Sequence, residues 1–122
     1  MVELHTVLVI DDDNGVAQLI ATVLEDQGYH VETAANGCEG FELVKHGMPD
    51  LILLDVQMPV MDGCEFANQF HATYDSDTPI VLVTANSNAR ALAKQMGAAD
   101  YVRKPFDVST LLNAVSQHIK AA

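Results

Sequence analysis

Three aspartates in this 122-residue chain directly follow apolar runs, and carboxylates placed in this way can bind a metal ion or attack a phosphoryl group. Asp55 follows the aliphatic residues 51–54, and Asp11 and Asp12 follow the run at 6–10. If these carboxylates meet, charges ~4 Å apart repel by about 4 kcal/mol at an effective dielectric of roughly 20, so a shared cation is needed. The all-oxygen set favours Mg²⁺, and a hard dication beside Asp55 suits phosphoryl transfer to that carboxylate.

The elements that must position these aspartates alternate along the chain between strands and helices. Unbroken apolar runs suit strands that are covered on both faces of a parallel sheet, and segments with helical apolar spacing separate them. We predict five strands, at 6–10, 30–34, 51–55, 80–84 and 101–102. We predict five helices, at about 16–24, 38–46, 63–72, 88–96 and 107–119. This alternation indicates an α/β fold, in which a parallel sheet has helices on both faces.

The carboxyl ends of parallel strands meet at one edge of the sheet, where ligands of open α/β sheets gather. Thr84 ends the fourth strand and Lys104 follows the fifth, so both are expected beside Asp11, Asp12 and Asp55. Each residue type also has a structural interpretation, because an aspartate or threonine after a strand can cap the next helix and a lysine can lie in solvent. The arrival of the whole set at one edge favours a reactive site.

Composition excludes several classes of protein. The net charge of −11 argues against direct binding of nucleic acid by this chain. The length fits one domain at 1–122, and 49% hydrophobic residues are enough for a buried core. The sequence shows no secretory leader and no apolar run near the roughly 20 residues that span a bilayer. We therefore expect a stand-alone cytoplasmic domain without membrane contact.

The apolar residues of the predicted helices identify the faces that should pack on the sheet. The first helix would present five apolar side chains inward: Val16, Leu19, Ile20, Val23 and Leu24. The second helix would present Cys38, Phe41 and Val44. Cys38 and Cys64 are expected to be reduced thiols that pack as small apolar groups.

Four stretches occur in the order and spacing of the receiver domains of two-component response regulators, the CheY-like family, which this chain resembles over essentially its whole length. The stretches are VLVIDDD at 7–13, DLILLDVQMPVMDG at 50–63, PIVLVTAN at 79–86 and GAADYVRKPF at 97–106. The resemblance implies a doubly wound, flavodoxin-like (βα)5 fold with strand order 2-1-3-4-5. It also implies a signalling switch that takes a phosphoryl group from a phosphohistidine on a sensor histidine kinase or a histidine phosphotransfer protein.

The same resemblance implies roles for the residues of the site. Asp55 would be the phosphoacceptor, Thr84 would hydrogen-bond the phosphoryl group, and Lys104 would pair with it. Asp11 and Asp12 would be the acidic pair for Mg²⁺. We predict a Mg²⁺ or Ca²⁺ site in which Asp12 and Asp55 are direct ligands and Asp11 acts largely through water.

Further roles follow from the resemblance. The backbone carbonyl of Gln57 would complete the protein ligands of Mg²⁺, and the side chains of Gln57 and Asn86 would set the lifetime of the acyl phosphate. Tyr101 would be the switch aromatic, which turns inward when the site is phosphorylated. The Lys104–Pro105 peptide bond would be cis.

The charge is distributed unevenly along the chain. Residues 1–77 hold 15 of the 17 acids and one base, whereas residues 78–122 hold two acids and five bases. Arg90 and Lys94 are four residues apart and share a helix face, and Arg103 follows nearby in sequence. We therefore expect an output partner with an acidic surface to bind the face formed by the fourth helix, fifth strand and fifth helix.

Three other classes compete with this interpretation. A haloacid-dehalogenase-like phosphatase also uses Mg²⁺ and a strand-end aspartate, but it normally carries a second acid two residues later, where this chain has Gln57. A flavodoxin-like cofactor protein would need a Ser/Thr/Gly-rich phosphate loop where this chain has three aspartates. A binding module that has lost phosphorylation is disfavoured by the complete site. We expect a switch that catalyses only its own phosphorylation and dephosphorylation, and not an enzyme.

Overall fold

The structure is a computed structural model that describes residues 5–56, 63–74 and 77–119. Its strands are β1 Thr6–Ile10, β2 His30–Ala34, β3 Leu51–Leu54, β4 Ile80–Thr84 and β5 Asp100–Arg103. Its helices are α1 Asn14–Asp26, α2 Gly37–His46, α3 Gly63–Thr73, α4 Ala89–Met96 and α5 Val108–His118. The strands form one parallel sheet in the order β2-β1-β3-β4-β5, which confirms the predicted doubly wound α/β fold. Within the ranges given above, no helix has both the length and the apolar content to cross a membrane.

The side chains of the central strands alternate between two apolar layers, because successive residues of a strand point to opposite faces of the sheet. One layer contains Val7, Leu51 and Val81, with α1 and α5 packed over them. The other contains Leu8 and Ile52, with α2, α3 and α4 packed over them. Since both faces are covered by apolar groups, the strand ends are the places where these strands can present charged groups to solvent.

The register of the strands brings their carboxyl ends to one edge. Ile10 pairs with Leu54, and the N–H of Asp55 donates to the carbonyl of Ile10 at 2.8 Å. On the far side of β4, the N–H of Lys104 donates to the carbonyl of Thr84 at 2.8 Å. These backbone hydrogen bonds fix the positions from which the predicted site residues project.

Two predictions about apolar faces are wrong. Leu19 is 54% exposed, because the buried face of α1 is formed by Ala17, Ile20, Ala21 and Leu24. Leu19 lies about 200° around the helix from Ala17 and from Ala21, and both of these alanines are buried. Cys38 is exposed, because α2 buries Gly37, Gly40 and Val44 instead. The side chain of Cys64 lies outside the described part of the chain.

Gly40 lies where α2 crosses β1, and the close packing at this point leads to a prediction about stability. A Cβ atom on Gly40 would lie 2.6 Å from Ile10 Cδ1 and 3.2 Å from Phe66 Cε2, and both side chains are fully buried. Overpacking a core typically costs about 1–3 kcal/mol, and a 2.6 Å contact with a buried atom places Gly40→Ala in the upper half of that range. The helix-propensity gain of about 1 kcal/mol from Gly to Ala therefore offsets only part of the cost. We expect Gly40→Ala to lower the free energy of unfolding by about 1–2 kcal/mol in urea denaturation.

Two variants control for this effect. Gly47 has no atom within 4 Å of an added Cβ, so Gly47→Ala should change stability by less than about 0.5 kcal/mol. Ile10→Val removes the methyl group that the new Cβ would strike, so it should cost less in the Gly40→Ala background than in the wild type. Wild-type stability of Gly40→Ala would show that α2 does not pack this closely on β1.

Candidate functional site

Buried polar side chains lie together at the carboxyl edge of the sheet. Among the residues that the structure describes, the buried polar or charged ones are Asp11, Asp55 and Thr84, and all three lie at this edge. Asp11 follows β1, Asp55 follows β3, and Thr84 ends β4. The prediction that these residues converge is therefore confirmed by their positions.

Asp12 completes a cluster of three carboxylates with Asp11 and Asp55. One oxygen from each carboxylate can be chosen so that all three lie within 4.8 Å of one another. Asp12 is exposed, whereas Asp11 is 2% and Asp55 is 9% exposed. Hard oxygen ligands with one side open to water fit a magnesium ion, which usually keeps several of its own waters.

Among the described residues, Lys104 supplies the positive charge nearest to this cluster. Its Nζ lies 3.1 Å from Asp11 Oδ2 and 3.9 Å from Asp55 Oδ1, and its side chain is 24% exposed. The Lys104–Pro105 peptide bond is cis, as the resemblance implied. Lys104 therefore pairs with Asp11 more closely than with Asp55, and one lysine faces three carboxylates.

The pKa of the Asp55 carboxyl is raised from its ordinary 3.8 to about 6. Burial of the carboxyl is the largest cause, and the negative charge of Asp11 is the second. Lys104 lowers the pKa but only partly offsets these effects, and Asp12 raises it further. The site thus has too little positive charge for its carboxylates, and a bound cation would relieve the imbalance.

A cavity of about 360 Å³ opens beside Asp55 and is lined by Thr84, Ala85, Asn86 and Lys104 as well. The hydroxyl oxygen of Thr84 accepts a hydrogen bond from the N–H of Asn86 at 3.1 Å, which leaves the hydroxyl hydrogen free to donate elsewhere. The cavity thus has a hydroxyl group from Thr84 and an ammonium group from Lys104 at its border. It suits a tetrahedral anion attached to Asp55.

The sequence did not assign two local roles in this region to particular residues. Asn86 Oδ1 accepts a hydrogen bond from the N–H of Asn88 at 2.8 Å, so this side chain also shapes the turn that leads into α4. Asp13, and not Asp11 or Asp12, caps α1 with its side chain. The N-cap preference of aspartate gave a signal for this role, but it applied equally to all three aspartates.

The remaining predicted residues lie away from the cavity or beyond the described ranges. Tyr101 lies on β5 beside Leu82 of β4, and its partly buried ring packs against the apolar layer under α2, α3 and α4. Gln57 falls outside the described residues, so its backbone carbonyl stays a predicted ligand.

The fold and the site together define a doubly wound α/β domain with an acidic pocket and a lysine at the carboxyl edge of its sheet. The chain belongs to the response regulator receiver domains, whose family it matches over residues 7–116. This match supports the receiver interpretation of two-component signalling and gives no support to the haloacid-dehalogenase alternative.

Individual relatives agree with the family. The chain is 40% identical over 108 residues to the response regulator MprA of Mycobacterium sp. (strain KMS), covering 87% of this chain and 46% of that protein. It thus spans about half the length of the curated relatives it matches. Among solved structures it is similar to the Vibrio cholerae chemotaxis protein CheY4, with 34% identity, a TM-score of 0.87, and coverage of 95% and 99% of the two chains. It is also similar to TrrA from Thermotoga maritima in complex with Mg²⁺-BeF, with 32% identity, a TM-score of 0.84, and coverage of 93% and 98%.

The raised pKa of Asp55 generates a prediction about stability and pH. Because the folded-state pKa of about 6 lies above the ordinary 3.8, the stability that protonated Asp55 contributes is present below pH 3.8 and is lost as the pH rises through 6. Asp55→Asn removes the charge at every pH. Without added metal, we expect it to be more stable than the wild type by roughly 1–3 kcal/mol at pH 8, and by much less at pH 4.

Urea denaturation at both pH values measures this difference. The control is Asp77→Asn, which removes an exposed loop carboxylate and should change stability by less than about 0.5 kcal/mol at either pH. A stabilisation by Asp55→Asn that is equal at pH 4 and pH 8 would contradict the raised pKa.

Proposed function

We propose that this receiver domain is a phosphorylation-dependent switch in which Asp55 accepts a phosphoryl group from a phosphohistidine. The observation that carries the proposal is the position of Asp55, a buried carboxylate that faces a cavity bordered by Thr84 and Lys104. The donor would be a sensor histidine kinase or a histidine phosphotransfer protein, and the reaction would take place in the cytoplasm.

The transfer forms one bond and breaks another. A carboxylate oxygen of Asp55 bonds to phosphorus while the phosphorus–nitrogen bond to the donor imidazole breaks. The electron pair of that bond leaves with the nitrogen, which takes up a proton and restores a neutral histidine. The product is an acyl phosphate on Asp55. Hydrolysis by water returns the carboxylate and releases inorganic phosphate, so the chain acts only on itself and is not an enzyme for another substrate.

Magnesium is the cofactor that the donor set fits best. Asp11, Asp12 and Asp55 would hold it, and the backbone carbonyl of Gln57 is proposed as a further ligand. When bound, Mg²⁺ supplies positive charge that neutralises the phosphoryl oxygens during transfer. The complex of TrrA with Mg²⁺-BeF supports the same cofactor for this related chain.

Residues around the cavity would hold the phosphoryl group and set its lifetime. The Nζ atom of Lys104, which lies 3.9 Å from Asp55 Oδ1, would pair with a phosphoryl oxygen. The hydroxyl of Thr84 would donate a hydrogen bond to another oxygen. Gln57 and Asn86 would border the attacking water. Because amides cannot act as general bases, these side chains would orient the water at most.

The switch would connect the cavity to a surface for an output partner. When Thr84 moves toward the phosphoryl group, Tyr101 would turn further into the space beside β4 and remodel the face formed by α4, β5 and α5. Arg90, Lys94 and Arg103 are exposed in α4 and β5, and they make this region basic in an otherwise acidic protein. We therefore propose a partner with an acidic surface, which binds more tightly when Asp55 is phosphorylated.

Phosphorylation is tested directly by intact mass. Incubation with Mg²⁺ and a small acyl phosphate should add the mass of one phosphoryl group, and chelation of the metal should prevent the addition. The adduct should be absent from Asp55→Asn, but present in Asp50→Asn, which alters a carboxylate just before β3, at the opposite edge of the sheet. An adduct that persists in Asp55→Asn would disprove Asp55 as the phosphoacceptor.

The proposed switch surface predicts a change in amide hydrogen exchange. After treatment with Mg²⁺ and acyl phosphate, exchange should change in α4 and β5, because Tyr101 and the turn after Thr84 repack. Asp55→Asn treated in the same way should show no change in these elements. If the exchange of the phosphorylated wild type changed only in α1 and α2, the partner surface would have to lie elsewhere.

A further inference from the structure

Asp13 connects the start of α1 to the acidic site. Its N–H donates to Asp11 Oδ1 at 2.9 Å. Its own Oδ1 accepts hydrogen bonds from the N–H groups of Gly15 at 2.9 Å and Val16 at 3.2 Å. The residue therefore caps the helix with its side chain and holds a neighbouring carboxylate with its main chain.

Asp11 is held at both of its oxygens. Oδ1 accepts from the Asp13 N–H, and Oδ2 lies 3.1 Å from Lys104 Nζ. The residue is only 2% exposed, so surrounding atoms also restrict its rotation. A carboxylate with both oxygens already hydrogen-bonded suits contact with an ion through water, and its orientation depends on the groups that hold it.

The direction of the Asp13 N–H depends in turn on the cap. With φ −87° and ψ 103°, Asp13 has the extended backbone of an N-cap residue, and its side-chain bonds to the first turn stabilise that conformation. The fit is close, since a Cβ atom on Gly15 would lie 3.2 Å from Asp13 Oδ1. Loss of the cap would release the turn and, with it, the donor that orients Asp11.

We propose that Asp13 is a positioning residue for the Mg²⁺ site, because its cap on α1 fixes the main-chain N–H that orients Asp11. This inference rests on the proposed function, in which Asp11, Asp12 and Asp55 hold the metal. In this proposal, the hydrogen-bonding oxygen of the Asp13 side chain forms the cap that fixes this N–H. The negative charge of the side chain has no part in it.

Three substitutions separate the cap from the charge. Asparagine and serine are N-cap residues about as good as aspartate, and both are neutral, whereas alanine cannot cap. A cap role predicts that Asp13→Asn and Asp13→Ser resemble the wild type and Asp13→Ala does not. A charge role predicts that all three variants weaken metal binding alike. Gln18→Gly is a control for a weakened helix, because it changes an exposed position within α1 and leaves the cap intact.

Calorimetric titration with Mg²⁺ alone, at fixed pH and ionic strength, tests the proposal. We expect Asp13→Ala to weaken Mg²⁺ binding by about tenfold, as is typical for loss of a group that orients a metal ligand. Asp13→Asn, Asp13→Ser and Gln18→Gly should stay within about twofold of the wild type. Wild-type affinity in Asp13→Ala, or equal losses in Asp13→Ala and Asp13→Asn, would overturn the proposal.

A second measurement keeps the test valid if Asp13→Ala folds poorly. Coupling between two sites is reciprocal, so Mg²⁺ should slow amide hydrogen exchange at Gly15 and Val16 in the wild type, and Asp12→Ala should abolish the effect. Unchanged exchange in a wild-type protein that binds Mg²⁺ would overturn the inference about Asp13 alone. A wild-type protein that binds no Mg²⁺ would refute the proposed metal site, and the inference with it.

Discussion

Repulsion among carboxylates that the fold holds at the edge of the sheet is the interaction on which the site depends. Asp11 and Asp55 are buried, Asp12 is close to both, and Lys104 is the nearest cation. The result is a raised pKa at Asp55. The excess of negative charge can be reduced by a proton or by a metal ion. A covalently attached group that brings a cation with it has the same effect. The stability of the fold and the metal affinity and reactivity proposed for Asp55 therefore depend on the same repulsion among carboxylates.

The apolar faces of the sheet are the reason that these carboxylates lie together. Residues of β1, β3 and β4 contact helices on both sides, so the central strands have no solvated face on which a charge could lie. Charged groups gather where the strands end, and parallel pairing places those ends together. The turn after β1 then separates the roles of its aspartates: Asp11 turns into the site, and Asp13 caps α1.

Much of this arrangement could be predicted from the sequence because strand ends are marked clearly. The apolar runs before Asp11, Asp55 and Thr84 identify buried strands, and parallel order then brings their ends to one edge. The resemblance to receiver domains added the strand order and the cis bond before Pro105, and both are found. The strand ends depend on local sequence and on pairing rules, so tertiary packing did not override them.

Details that depend on distances could not be predicted. Helical spacing placed Leu19 on the inward face of α1, but the buried face of the helix contains Ala17 and Ala21 and leaves Leu19 exposed. Three consecutive aspartates have equal cap propensities, and only the path of the chain assigns that role to Asp13. The resemblance implied that Lys104 would pair with a phosphoryl group on Asp55. In the structure, Lys104 Nζ lies 3.1 Å from Asp11 Oδ2 and 3.9 Å from Asp55 Oδ1, a difference that no sequence pattern marks.

The most direct test of the electrostatic account is a carboxyl carbon NMR titration of Asp55 in the wild-type protein, without metal and then with saturating Mg²⁺. The account predicts a pKa of about 6 without metal and a clear fall when Mg²⁺ is added, because a dication stabilises the ionised carboxylate. A pKa near the ordinary 3.8 without metal, or one that Mg²⁺ does not change, would contradict the account.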